Sequence, residues 1–251
     1  MVKVVIIGSG NVAIQLAHAF LKSAKVTVLQ RFSRNNTNAV YFSDKIPVTD
    51  KISTLQEADV YILAISDSAI SEFSKHLQIK KGLVVHTSGS IPMNALVCKA
   101  NKGVFYPLQT FSKDQIINFE KTPFALETEK KEDFITLETL AKTLSKNIYS
   151  VNSQQRNKLH IAAVFANNFS NYMFKIAKDI CDEHDFSFEI LKPIIQETTK
   201  KLETMSPFNA QTGPAKRNDK IVIENHLQQL EGDQKEIYKL VSDSITKTFN
   251  K

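Results

Sequence analysis

The first thirteen residues constrain what this chain can fold into more than any other stretch. Val2, Val4, Val5, Ile6 and Ile7 make an apolar run broken only by Lys3, as suits a central strand of a parallel sheet covered on both faces. Gly8-Ser9-Gly10 follows with no polar loop in between. Val12, Ala13, Leu16, Ala17 and Phe20 then recur close to the helical period. A helix with that spacing lies on the sheet and aims its first backbone amides back over the glycine turn.

Each small residue in this turn has a physical use. Gly8 permits the sharp reversal, Gly10 leaves room for a phosphate to touch the backbone, and Ala13 lets helix and strand pack closely. The spacing is that of the dinucleotide fingerprint, in which the pyrophosphate sits on the helix N-terminus. Gly8, Ser9, Gly10, Asn11 and Val12 are therefore the expected phosphate cradle, with a ligand-free strand–turn–helix as the alternative. The end of the second strand is where such a site chooses its cofactor. It reads Gln30-Arg31-Phe32-Ser33-Arg34, with no carboxylate until Asp44. An acidic side chain would bind the ribose hydroxyls of NAD, whereas Arg31, Ser33 and Arg34 suit the 2′-phosphate of NADP(H). The alternative for the arginines is a pair of solvated loop charges.

The alternation continues. Residues 60–65 form another buried strand ending in Ser66-Asp67-Ser68, where Ser66 and Asp67 are expected to cross the cofactor, unless Asp67 or Ser68 only caps the helix over 69–77. The strand at 83–86 runs into Thr87-Ser88-Gly89, and Ser88 and Gly89 are expected to line the nicotinamide pocket. Strands over 103–106, 123–126 and 148–151, with a helix over 131–145, complete this half. From Asn152 the pattern is helical only, with expected helices over 153–184, 188–202, 219–230 and 234–250. Residues 161–166 are apolar all round and are expected to be buried on most sides. The expected fold is an α/β N-terminal Rossmann domain, a parallel sheet flanked by helices, over 1–151, followed by an all-α domain over 152–251.

Composition narrows the class. A chain of 251 residues with 42% hydrophobic content can bury a substantial core. No run approaches the roughly 18 apolar residues of a membrane span, no signal-peptide pattern opens the chain, and Cys98 and Cys181 are too few and too far apart for a disulfide scaffold or metal cluster. A soluble, cytoplasmic protein without a bound metal is expected. The net charge of +6 comes from 32 Lys and Arg residues that are scattered, without a basic-aromatic stripe. Nucleic acid is therefore not an expected partner.

Five segments together are more specific: Gly8-Ser9-Gly10-Asn11-Val12-Ala13, Ala64-Ile65-Ser66-Asp67, His86-Thr87-Ser88-Gly89, Phe105-Tyr106-Pro107-Leu108-Gln109-Thr110-Phe111, and Thr212-Gly213-Pro214-Ala215-Lys216-Arg217-Asn218-Asp219 with His226 after it. With these the chain resembles a family of Rossmann-domain NADP oxidoreductases that carry a helical C-terminal domain of unknown function and are grouped with deazaflavin-dependent NADP reductases. The resemblance implies a fold similar to 6-phosphogluconate dehydrogenase, ketopantoate reductase and pyrroline-carboxylate reductase, with a homodimer formed through the helical domain. Nothing in these residues identifies a deazaflavin site.

One departure bears on mechanism. Hydroxyacid dehydrogenases of this layout place a catalytic lysine four residues before an asparagine on the long helix, but Asn167 and Asn168 follow Ala163 and Val164 here. The helix instead offers His160, Asn167 and Asn171, which fall on one face at α-helical spacing. His160, Asn167 and His86 are the candidate catalytic groups, and Asn171, Gln109, Arg217 and Asp219 the candidate substrate contacts. The expected activity is hydride transfer between NADP(H) and a small carbonyl or imine compound bound between the domains. The alternative is a non-catalytic NADP(H)-binding sensor or interaction protein.

Overall fold

The computed structural model describes residues 1–35 and 38–250. Eight strands, β1 (Val2–Ile7), β2 (Val26–Phe32), β3 (Val48–Thr49), β4 (Val60–Leu63), β5 (Leu83–His86), β6 (Asn101–Pro107), β7 (Phe124–Thr128) and β8 (Ile148–Ser150), form one sheet in the order β3-β2-β1-β4-β5-β6-β7-β8. Every neighbouring pair is parallel except β6 and β7, which are antiparallel. The expected parallel sheet is present, with one antiparallel pair. A parallel return needs a long crossover, usually a helix, and the β6–β7 connection holds only the short 3₁₀ turn Phe119–Lys121.

Successive residues of β1 point to opposite faces, and both faces are covered. Val4 and Ile6 pack with Ala13, Ile14, Leu16, Ala17 and Phe20 of helix α1 (Asn11–Leu21). Val5 and Ile7 pack with Phe32, Leu63, Val84 and Ile70, the last from helix α2 (Ile70–Lys75). Helix α3 (Lys131–Lys142) adds Leu137, Leu140 and Ala141 on the α1 side. Helix α2 is shorter than the spacing predicts, because the chain enters it through a 3₁₀ turn, Asp67–Ala69. The strand order reverses direction at β1, with β2 on one side and β4 on the other, which is the place where open α/β sheets bind ligands.

Helix α4 (Ser153–Ala163) begins where the sequence pattern changes, at a capping box between Asn152 and Gln155. Its hold on the sheet is Arg156, which is fully buried. The guanidinium is paired with Glu127 of β7 and donates to the Ile91 carbonyl at 2.6 Å. Glu127 also accepts from the Ser153 backbone N–H at 2.9 Å and from the Ser153 hydroxyl. The chain accordingly divides into compact units after Asn168, Met1–Asn168 and the residues from Phe169 onward. The change of pattern at residue 152 and the structural division differ because α4 packs on the sheet.

The expected single helix over 153–184 is interrupted. A π-helical stretch, Val164–Phe169, separates α4 from α5 (Ser170–Glu183). The second unit continues with α6 (Lys192–Lys201), α7 (Pro207–Ala210), α8 (Lys220–Gln229) and α9 (Gly232–Phe249). Residues 161–166 are not buried as the apolar run predicts: Ile161 is 44% and Phe165 64% exposed in the single chain. No helix among the described residues is long and apolar enough to cross a membrane.

Candidate functional site

The glycine turn sits at the carboxyl end of β1 against the carboxyl end of β4. Gly8 has φ +133°, and a Cβ there would lie 2.1 Å from the Ala64 carbonyl oxygen. Only glycine fits on both counts. A Cβ at Gly10 would meet nothing within 4 Å, so the space above the first turn of α1 is open. Gly10 is also the N-cap of α1 and contributes no side chain, leaving the first amides of an 11-residue helix facing that space.

This space opens into a cleft of about 1210 Å³. Gly8, Ser9, Gly10, Asn11 and Val12 form one wall, Phe32, Ser33 and Arg34 line the end of β2, and Ala64, Ile65, Ser66 and Ser68 follow β4. Asp50, Ile52 and Phe73 also line it, and Thr87 brings the loop after β5 to its far side. The segment over 111–117 is held beside the turn. Asn11 donates to the Phe111 carbonyl at 2.9 Å, and the buried Gln15 amide donates to the Ser112 and Gln115 carbonyls and accepts from the Ile117 N–H. These contacts span about a hundred residues, so the sequence gives no local signal for them.

The two arginines of the second strand part company. Arg34 lies beyond β2 and lines the cleft with Ser33. Arg31 lies within β2, is only 3% exposed, and stacks its guanidinium 4.1 Å from the centroid of the Phe42 ring. Burial holds its pKa below the ordinary value. Arg31 is not part of the cleft wall, which corrects the expectation of a two-arginine clamp: strand alternation turns it toward the α1 face, while Phe32 turns to the other and meets Phe73 edge-on at 5.2 Å.

Beyond Thr87 the loop is tied by its own hydrogen bonds. The Ser88 hydroxyl accepts the N–H groups of Ser90 and Ile91 at 3.1 and 3.0 Å, and so serves its own turn. Gly89 faces another pair of side chains. A Cβ at this position would come within 2.6 Å of His160 Nδ1 and 2.8 Å of Tyr106 Cζ. His160 Nδ1 and Tyr106 Oη are themselves 3.0 Å apart, with the rings edge to face. Tyr106 is buried in β6 and His160 half-buried on α4, one helical turn after the Arg156 anchor. Burial raises the pKa of the Tyr106 phenol; Arg156 acts to lower it and Asp67 to raise it.

The remaining expected residues are scattered. His86 is fully buried, its Nδ1 accepts the Ser88 N–H at 3.2 Å, and burial, reinforced by Arg156, lowers its pKa to about 3. Burial at this depth disfavours the charged imidazolium. Asp67 does not line the cleft and acts on Tyr106 instead. Gln109 is exposed, with its side-chain oxygen accepting the Thr110 N–H. Asn167 is exposed within the π-helical stretch, and Asn171 is exposed on α5 in the other unit. The π stretch resets the helical phase, so these two do not continue the His160 face as α-helical spacing implies. In the second unit Arg217 is exposed, and Asp219 is the N-cap of α8, accepting the Val222 N–H. The side-chain pairing that sequence reasoning missed is Tyr106 with His160. It lay hidden because the two residues are 54 positions apart.

Residues 3–88 match the family model described as NADP oxidoreductase coenzyme F420-dependent, and residues 122–245 match a domain of unknown function, DUF2520. A Bacteroides fragilis protein named as a candidate NADP oxidoreductase is 38% identical, with 98% of each chain covered and a TM-score of 0.90. The chain belongs to this NADP oxidoreductase family. The same fold occurs in a Plasmodium falciparum pyrroline carboxylate reductase with NADP bound, at 11% identity, 98% of each chain and a TM-score of 0.63. It also occurs in an Aspergillus terreus reductive aminase in complex with NADPH and ethyl levulinate, at 14% identity, 99% of this chain, 95% of that one and a TM-score of 0.71. A search of curated proteins returned no significant match.

Proposed function

We propose that the protein is an NADP(H)-dependent oxidoreductase acting on a small carbonyl or imine compound. The observation that carries this reading is the single cleft wall that joins the Gly8–Gly10 turn to Ser33 and Arg34 at one end and to Thr87 at the other. The residues fit the dinucleotide. The α1 amides and Gly10 would take the pyrophosphate, and the hydroxyl of Ser33 with the guanidinium of Arg34 would take the 2′-phosphate. Ile52 and Phe73 offer apolar surface for the adenine. A reduced nicotinamide supplies a hydride when bound.

His160 is assigned the proton exchange with the substrate heteroatom, because its ring lies against Gly89, two residues beyond the cleft-lining Thr87. Arg156 and Glu127 hold α4 so that this ring keeps its place. Exposed Ile190, Ile194, Ile221 and Leu240 in the helical unit support self-association as a homodimer, which sedimentation velocity tests directly.

The test of the activity is a panel of 2-keto acids, aldehydes and cyclic imines with NADPH oxidation followed at the nicotinamide absorbance. Turnover of one class, abolished by His160→Ala with NADPH binding retained, supports the assignment. NADPH binding with no turnover across the panel contradicts it.

A further inference from the structure

Tyr106 is the one side chain hydrogen-bonded to His160 among the described residues, and the pair is built rather than incidental. It sits on a floor that admits no Cβ, since Gly89 approaches both rings. The strand beneath Tyr106 is fixed by pairing with β5 and β7, and the helix under His160 by the Arg156–Glu127 pair. A histidine that exchanges a proton through one nitrogen is governed by what the other nitrogen bonds. Nδ1 is engaged by the phenol, while Nε2 has no hydrogen bond to the described residues.

We propose that Tyr106 is a positioning residue that accepts the Nδ1–H of His160, so that Nε2 is the nitrogen passing a proton to or from the substrate. This rests on the oxidoreductase reading and deepens it. In the reducing direction the hydride's electron pair forms the new C–H bond, the C=O or C=N π bond opens, and the Nε2–H proton goes to the oxygen or nitrogen. The imidazolium becomes a neutral ring that keeps Nδ1–H. In the oxidising direction the bare Nε2 takes that proton back. The phenol accepts from Nδ1–H in both states, so the ring does not turn over between half-reactions. The charged groups acting on Tyr106 are Arg156 on α4, one turn before His160, and Asp67 after β4; Gly89 brings only backbone.

The experiment is a ¹⁵N NMR measurement of the imidazole nitrogens in the full chain without added nucleotide, followed as pH is raised until the chemical shifts are constant. His160→Gln identifies the resonances. In the wild type, Nδ1 is expected to read as protonated and Nε2 as bare; the opposite pattern overturns the proposal without any variant. In Tyr106→Phe the Nδ1–H population is expected to fall, and an unchanged tautomer overturns it equally. NADPH binding by nicotinamide fluorescence is followed on the same samples. It is expected to be unchanged in Tyr106→Phe, so loss of cofactor binding in the wild type would refute the oxidoreductase reading while leaving the tautomer result standing on its own.

Discussion

Gly89→Ala separates cofactor binding from proton transfer by a single methyl group. The backbone at Gly89 does not adopt positive φ, so alanine meets no conformational penalty and its effect is steric. Its Cβ would stand 2.6 Å from His160 Nδ1 and 2.8 Å from both His160 Cγ and Tyr106 Cζ. Unstrained contacts lie at about 3.5–4.0 Å, so the two rings must retreat by about 1 Å. A displacement of about 1 Å at a reacting group costs on the order of 10²-fold in rate. Overpacking of this kind costs about 1–3 kcal/mol in stability, which a domain of ordinary stability, about 5–15 kcal/mol, survives folded. The assay is kcat for NADPH oxidation with the best compound of the panel, beside the NADPH dissociation constant. The account predicts a loss of about two orders of magnitude in kcat with NADPH affinity unchanged, because Thr87 is the loop residue that lines the cleft. A wild-type kcat in a folded Gly89→Ala protein would refute the placement of His160 at the reaction centre.

Arg34→Ala is expected to weaken NADPH by about tenfold and NADH little, since a charge-assisted phosphate contact is lost; fluorescence titration reads both. Arg31→Ala is expected to lower the melting temperature through loss of the Phe42 stacking while leaving the NADPH to NADH ratio unchanged. Arg156→Met alone leaves Glu127 without its buried partner and is expected to cost about 3–5 kcal/mol in urea unfolding, with much of that recovered in Arg156→Met/Glu127→Leu. His86 takes up a proton more readily unfolded than folded, so its contribution leaves stability level above about pH 6.5 and lowers it as pH falls toward 3, by about tenfold in the unfolding constant per pH unit. Unfolding curves of His86→Asn against wild type across that range are expected to differ in slope accordingly.

The legible parts of the fold and site are those encoded by neighbours in sequence. The β1 run, the glycine turn and the α1 stripe lie within one stretch, and backbone sterics alone demand Gly8 where it stands. Arg31 and Arg34 looked alike as charges after a strand. They differ because β2 runs to Phe32, and a residue still inside a strand is aimed by alternation, whereas one past its end is free to turn into the cleft. The π stretch over Val164–Phe169 left no mark in the apolar spacing, and it undid the shared face inferred for His160, Asn167 and Asn171. In sequence Tyr106 belongs to the end of a strand and a Tyr-Pro-Leu-Gln segment, and Gly89 to an expected nicotinamide contact. Only the sheet register and the Arg156 anchor, both long-range, bring them to His160.

On the proposed function, the cleft beside the Gly8–Gly10 turn selects a 2′-phosphorylated dinucleotide through the end of β2. The most direct test of this central claim is the equilibrium titration of the wild-type chain with NADPH and, separately, NADH, at one ionic strength, followed by nicotinamide fluorescence. The account predicts saturable binding of NADPH at least about tenfold tighter than NADH, the equivalent of one charge-assisted phosphate contact. Equal affinity for the two, or binding of neither, would contradict it.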